Sequence, residues 1–290
     1  MSVYWAFRIA SVLAKAAPLS VAYAVAAACG VAAFYAWPGG RRRCIANMRH
    51  IFRDEARARL AARRSFANYA VYLIDFLRFT SATAAEVHSR VIFDRWPQIE
   101  MERRGNGIVF ITMHYGNWDI GAAALAERGL PLSVVADTFG DPRLNDLVLG
   151  ARRALGMTVL PAERVGPSVL RALKRNEVVA MLIDVPPQGG GVEAQFFGDT
   201  VLVADGPARI ALRAGASVVV ATVRREHPRS PRVYGQGETM PFTPTGDSEH
   251  DVRALTQAIM SALERMIARD PEQWYIFRSW WVADRAATLR

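Results

Sequence analysis

The stretch GIVFITMHYGNWDI, residues 107–120, decides how the chain is read. An apolar run ends at Met113 on a histidine, passes through a glycine, and resumes with Asn117 and Trp118. Continuous runs of this length are typical of buried strands. His114 and Asp119 are five residues apart. On one helix that spacing turns two side chains about 140° away from each other. A strand–turn–helix corner resolves the difficulty. The strand ends near Met113, Gly116 permits a tight bend, and Asn117 caps a helix that starts at Trp118. Asp119 then falls in the first helical turn, where the helix dipole favours a negative charge.

Working outward from this corner, strand-length apolar runs alternate with helical stretches. The runs are 107–113, 132–137, 157–161, 178–185, 192–197 and 217–225. Between them lie helical stretches at 118–128, 142–155, 167–175 and 206–214. Such alternation predicts an α/β domain with a central, mostly parallel sheet flanked by helices. Residues 248–269 form the last long amphipathic helix, ended by Asp270-Pro271. Upstream, residues 54–79 predict a long helix with Ala62, Phe66, Tyr69, Leu73, Phe76 and Leu77 on one apolar face.

Residues 1–37 read as apolar helix punctuated by Pro18 and Pro38. No charge occurs between Lys15 and Arg41, and Arg41-Arg42-Arg43 follow at once. That segment approaches the length that spans a bilayer, although it is rich in alanine. A span, a helix lying in the membrane interface and a helix packed on the main domain all satisfy this pattern, and a signal peptide fits it less well. For a span, the positive charge after it places the domain in the cytoplasm. The expected division is an apolar, membrane-associated segment at 1–40 and the main domain at 41–290, on the cytoplasmic face of a membrane, peripheral or single-span.

Composition narrows the partners. The 290 residues carry 36 Lys plus Arg against 27 Asp plus Glu, a net charge of +9, and 51% are hydrophobic. Disorder is excluded, and an anionic partner is implied. Nucleic acid is a poor fit, because no binding-module signature is present. An anionic membrane surface explains both the arginines and the apolar segment beside them. Two cysteines, Cys29 and Cys44, make neither a disulfide framework nor a zinc set. A metallohydrolase on His114 and Asp119 needs further ligands, and no His-x-His or Asp-x-His pair supplies them. No metal site is expected.

What remains is a general base. A carboxylate on one imidazole nitrogen fixes the tautomer and leaves the other free to take a proton from a hydroxyl. We expect Asp119 to be that carboxylate. No serine or cysteine lies in the motif and no G-x-S-x-G elbow occurs, so the substrate must bring the nucleophile. A hydrolase admitting water is the alternative.

His114 and Asp119 match the H-x-x-x-x-D pattern of glycerolipid-type acyltransferases. The fuller HYGNWD resembles the branch that acylates lipid A and mycobacterial mannosylated phosphoinositides. The stretch from Arg171 to Glu226 is similar to that branch in order: a basic helix, a strand ending in Asp184, a Gly-rich loop, VEAQFFG at 192–198 and a Gly-Pro-Ala helix start at 206–208. DPEQWYIFRSWW, residues 270–281, resembles its Trp-rich signature. The likeness covers most of residues 40–285. At 119 this chain has Asp where Glu is often found.

The resemblance implies transfer of a fatty acyl group from a thioester, acyl-CoA or acyl carrier protein, to a hydroxyl of a glycolipid or lysolipid acceptor in the membrane. It implies no cofactor beyond that co-substrate. It also makes the domain at 41–290 an acyltransferase and its membrane the bacterial inner membrane. His114 would deprotonate the hydroxyl and Asp119 would support it. Glu193 matches a second acid used in branch members that act on mannosylated lipids. Arg164 stands where the family often keeps a basic residue that could hold a phosphate or head group. Asn117, Asp184 and Gly206 complete the expected substrate-binding set: a helix cap, a residue at a strand's C-terminal end where α/β ligands bind, and a helix start able to hold an anion. The aromatic cluster Trp274, Tyr275, Phe277, Trp280 and Trp281 suits either a core or a membrane-interface belt. The other histidines read as surface residues.

Overall fold

The computed structural model describes residues 3–288 apart from 94, 95, 163, 164, 186, 188 and 189. Arg164 therefore lies outside the described residues.

The N-terminal part of the chain is helical. Pro18 breaks the apolar segment into α1 (Val3–Ala16) and α2 (Leu19–Ala36). The arginine-rich stretch forms α3 (Pro38–Phe52), with Pro38 at its start. The long α4 (Glu55–Phe79) begins at Asp54, whose side chain accepts from the backbone N–H of Arg57. Helix α2 packs on α4. Gly30 is the reason it can do so closely: a Cβ there would stand 2.4 Å from the carbonyl oxygen of Phe66.

The α/β part follows the predicted alternation. In chain order it comprises α5 (Ala84–Arg90), β1 (Val91–Phe93), α6 (Trp96–Met101), β2 (Ile108–Thr112), α7 (Trp118–Glu127), β3 (Leu132–Ala136), α8 (Pro142–Ala154), β4 (Thr158–Pro161), α9 (Val165–Lys174), β5 (Val178–Leu182), β6 (Val192–Phe196), β7 (Asp199–Val203), α10 (Gly206–Ala214), β8 (Ser217–Arg225), β9 (Val233–Thr239), α11 (Ser248–Ile267) and α12 (Val282–Thr288). Seven strands form one sheet in the order β1-β9-β8-β2-β5-β3-β4. Only the β8–β9 pair is antiparallel. Central strands β2 and β5 are buried on both faces, as helical cover on both sides requires.

Two features differ from the expectation. The run at 192–197 does not join the main sheet; it pairs with β7 in a separate hairpin, β6–β7, packed against α11. Its alternation of buried and exposed residues marks a one-sided strand, unlike the continuous runs of the sheet. The second difference is in α4. Its buried positions include polar Ser65, Asn68 and Asp75, whereas Tyr69, Leu73 and Phe76 of the predicted apolar face line a cavity.

Trp274, Trp280 and Trp281 are fully buried and meet one another edge-to-face, and Phe196 packs edge-to-face on Trp274 and Trp280. The tryptophans are core. His50 is also more than a surface residue, lying on Trp281 with ring centroids 4.2 Å apart, between Asp199 at 2.6 Å and Asp284 at 3.1 Å.

Candidate active site

The corner between β2 and α7 forms as its residue types require. Gly116 has φ 62°, and a Cβ would lie 1.8 Å from the carbonyl oxygen of Val223. Only glycine suits both conditions. The backbone is then tied on two sides. Gly116 N–H donates to the Gln273 carbonyl and Asn117 N–H to the Val223 carbonyl, each at 2.9 Å; Tyr275 N–H donates to the His114 carbonyl at 2.8 Å. Asn117 caps α7, its Oδ1 accepting from Ile120 N–H at 3.2 Å.

His114 does not take its hydrogen bond from Asp119. Its Nδ1 lies 2.8 Å from Oδ1 of Asp184, and its backbone N–H donates to Oδ2 of the same residue at 3.0 Å. Trp274 Nε1–H donates to that Oδ2 at 2.9 Å. An ionised carboxylate only accepts, so Nδ1 carries the proton and Nε2 is left as the basic nitrogen. Asp184, expected among the substrate-binding residues, is here the hydrogen-bond partner of His114, the place the sequence reading gave to Asp119. The register explains it. β2 and β5 run parallel with Thr112 opposite Leu182 and Ile111 opposite Met181. Two residues further along each chain, the same offset brings His114 opposite Asp184.

Asp119 sits in the first turn of α7 and is buried. It accepts from Tyr72 Oη at 2.8 Å and from Arg152 Nη2 at 2.9 Å. These two donors, from α4 and α8, hold the carboxylate, and among the described residues it has no hydrogen bond to His114. It still acts on the ring at a distance. Burial pulls the His114 pKa down, but the charge and hydrogen bond of Asp184 push it up further; Arg278 lowers it and Asp119 raises it, and the net shift is upward. For Asp184 burial raises the pKa, the charge of His114 and the three donors outweigh it, and the carboxyl stays below its usual range.

A cavity of about 920 Å³ opens beside His114. Tyr69, Phe76, Phe110, Leu125, Val134 and Met157 are among the apolar side chains of its wall. Asp119, Asp137, Arg152 and Arg278 are its charged lining besides His114. Arg152 is occupied by Asp119, whereas Arg278 is exposed and has no carboxylate partner among the described residues. Among the described residues no serine or cysteine belongs to the lining. Trp118 meets the His114 ring edge-on, with centroids 5.0 Å apart.

The remaining expected residues separate. Gly206 starts α10 and lines the cavity. Glu193 is exposed on the outer face of β6 and is not part of the cavity lining, because hairpin β6–β7 lies outside the main sheet. Asn117 is only 1% exposed, with its amide directed to Asp75 at 2.7 Å and its oxygen to the cap, so both polar atoms of its side chain are engaged within the protein. Among the described residues no group of three or more His, Cys, Asp or Glu side chains could hold a metal. Sequence reading missed Tyr72 and Arg152. Neither has a signal in the sequence, since each comes from a helix far from the motif.

The chain is 30% identical over 191 residues to the phosphatidylinositol mannoside acyltransferase of Mycobacterium tuberculosis (strains CDC 1551 / Oshkosh and ATCC 25618 / H37Rv), covering 64% of this chain and 58% of the relative. The match thus spans little more than half the length of those relatives. With the protein of the same name from Mycolicibacterium smegmatis (strain ATCC 700084 / mc(2)155) it is 28% identical over 231 residues, 77% of this chain and 72% of that one. The sequence model of the bacterial lipid A biosynthesis acyltransferases matches residues 1–282. With nearly its whole length matched, the chain belongs to the bacterial lipid A biosynthesis acyltransferase family.

Proposed function

We propose that the protein transfers a fatty acyl group from a thioester to a hydroxyl of a glycosylated membrane lipid. One observation carries this reading: His114, its Nδ1 bonded to Asp184 and its Nε2 without a hydrogen-bond partner among the described residues, lies beside a large, mostly apolar cavity with no serine or cysteine among its described lining residues. The cavity is suited to an acyl chain, with the thioester at its polar mouth. His114 Nε2 takes the proton of the acceptor hydroxyl as its oxygen attacks the thioester carbonyl. The C–O bond forms, the C–S bond breaks, and the imidazolium returns the proton to the departing thiolate. Asp184 stabilises the transient positive charge on the ring. Arg278 and Arg152 supply positive charge near the developing oxyanion.

The names of the mycobacterial relatives favour a mannosylated phosphoinositide or a similar glycolipid as acceptor. The donor is acyl-CoA or acyl carrier protein, and no further cofactor enters. Among the described residues α2 alone is long and apolar enough to cross a membrane, with 28% of it buried. Trp5, Ile9, Val12 and Leu13 of α1 and Val21 and Val25 of α2 are exposed. Exposed Arg42, Arg57, Arg59 and Arg63 stand on the neighbouring α3 and α4. This pairing of apolar and basic surface supports seating on an anionic membrane, at the cytoplasmic face of a bacterial inner membrane.

The test is an assay with the purified protein on anionic vesicles carrying a candidate glycolipid. Acyl-CoA and acyl carrier protein thioesters are supplied separately, and the lipids are read by mass spectrometry. An acceptor heavier by one acyl group is expected. Free fatty acid as the sole product would establish a hydrolase instead.

A further inference from the structure

Ser65, Asn68, Tyr72 and Asp75 recur along α4 at spacings of three and four, so they share one helix face. All four are buried, although polar side chains normally face water. Each directs a polar atom to the scaffold of the site. Ser65 Oγ donates to the Trp274 carbonyl at 3.1 Å, and Asn68 Nδ2 to the Glu272 carbonyl at 3.1 Å. Tyr72 Oη reaches Asp119. Asp75 accepts from Asn117 Nδ2 at 2.7 Å. The stripe thus holds the two segments that build the corner, 114–119 and 272–275, against one rigid helix.

Asp75 is the end of the stripe with the most partners. Besides Asn117 it accepts from Tyr23 Oη at 2.5 Å, from Arg90 Nη2 at 2.7 Å and from Arg225. Arg225 is itself fixed in place, its backbone exchanging two hydrogen bonds with the Gln273 amide. A cap alone would not demand asparagine at 117, since Ser, Thr or Asp cap as well. Asparagine is required when one side chain must accept from α7 and also donate to a carboxylate. Aspartate would set two carboxylates together, and a serine hydroxyl is too short to reach Asp75 while capping.

We infer that Asp75 is a positioning residue for the transfer reaction: through Asn117 it fixes the first turn of α7, and so Trp118 and Asp119, relative to His114. It touches neither substrate nor reacting atoms. The inference rests on the acyl-transfer reading only for its kinetic consequence; the tether itself is a property of the fold.

The decisive variant is Asn117→Ser in the full chain, which keeps the cap and removes the donor to Asp75. Hydrogen exchange followed by mass spectrometry should show faster exchange over residues 117–121 with α11 unchanged. In the transfer assay kcat should fall by about tenfold to a hundredfold, as small misplacements of reacting groups do, with KM for the thioester within about twofold. Asp75→Ala, which removes the acceptor, adds a cycle: Asn117→Ser on that background should cost no further activity. If Asp75→Ala does not fold, Asn117→Ser alone decides. Wild-type exchange at 117–121, or wild-type kcat in a folded Asn117→Ser protein, would overturn the inference. Faster exchange in a protein whose wild type transfers no acyl group would leave the tether standing and overturn the acyl-transfer reading.

Discussion

His114 and Asp184 occupy the same register position on adjacent parallel strands, two residues beyond the last paired residues, and bond through both backbone and side chain. The carboxylate that bonds the His114 ring therefore comes from the neighbouring strand, 70 residues away in sequence. His114→Ala should abolish acyl transfer while the protein still sediments with vesicles. Transfer retained in that variant would remove His114 from the mechanism.

The pH dependence follows from the same pair. A base must be neutral to act, and the His114 pKa is raised, so activity should fall on acidification with a midpoint above the ordinary value of about 6.5. In Asp184→Asn the carboxylate's charge is gone and burial still lowers the histidine, so the limb should move to lower pH as kcat drops. A limb that stays in place would contradict the pairing.

Stability should have a different optimum. The Asp184 pKa is lowered on folding, so its contribution is present above about 3.9 and is lost as pH falls through the lowered value. His114 is raised, so its contribution is complete below about 6.5 and is lost as pH rises through the raised value. The pair therefore stabilises most between about pH 4 and 6.5, where the base is protonated and inactive. Urea unfolding of wild type and Asp184→Asn across pH should show the largest difference in that window.

Asp119→Asn tests the correction made at the corner. It leaves the buried Arg152 without its counter-charge, so the variant should lose roughly 1–3 kcal/mol of stability as well as activity. Unfolding in urea reads the first and the transfer assay the second. A variant of full stability would mean that the Arg152 pair carries little.

Chain-length preference should respond to cavity volume. Ala180 lies on β5 in the cavity wall, and Ala180→Leu adds bulk there. Competition between thioesters of different length should shift toward shorter chains, with short-chain turnover kept. An unchanged product spectrum would place the acyl chain elsewhere.

Much of this was legible in the sequence because strand and helix periodicities are local. The helix over residues 206–214 and the strand over 217–225 fall where the pattern puts them. The corner at Gly116 was readable for the same reason. What could not be read is lateral order. Nothing in the run ending at Asp184 says that β5 lies beside β2, so the nearest acid in sequence, Asp119, stood in for the nearest in space. Glu193 misled for a related cause: its strand pairs only with the next one, and the hairpin leaves the sheet. Polar residues on α4 gave no signal, because their partners come from five other segments.

The ties from residues 273–275 have a consequence for biogenesis. Gly116, His114 and Asp184 all take or give hydrogen bonds to Gln273, Trp274 and Tyr275, and that segment is held in turn by Ser65 and by Asn68 through Glu272. While a nascent chain ends before them, it carries every residue of HYGNWD and cannot yet hold the base in place. The corner around His114 is therefore among the last parts of the molecule to mature, well after its own residues have been synthesised.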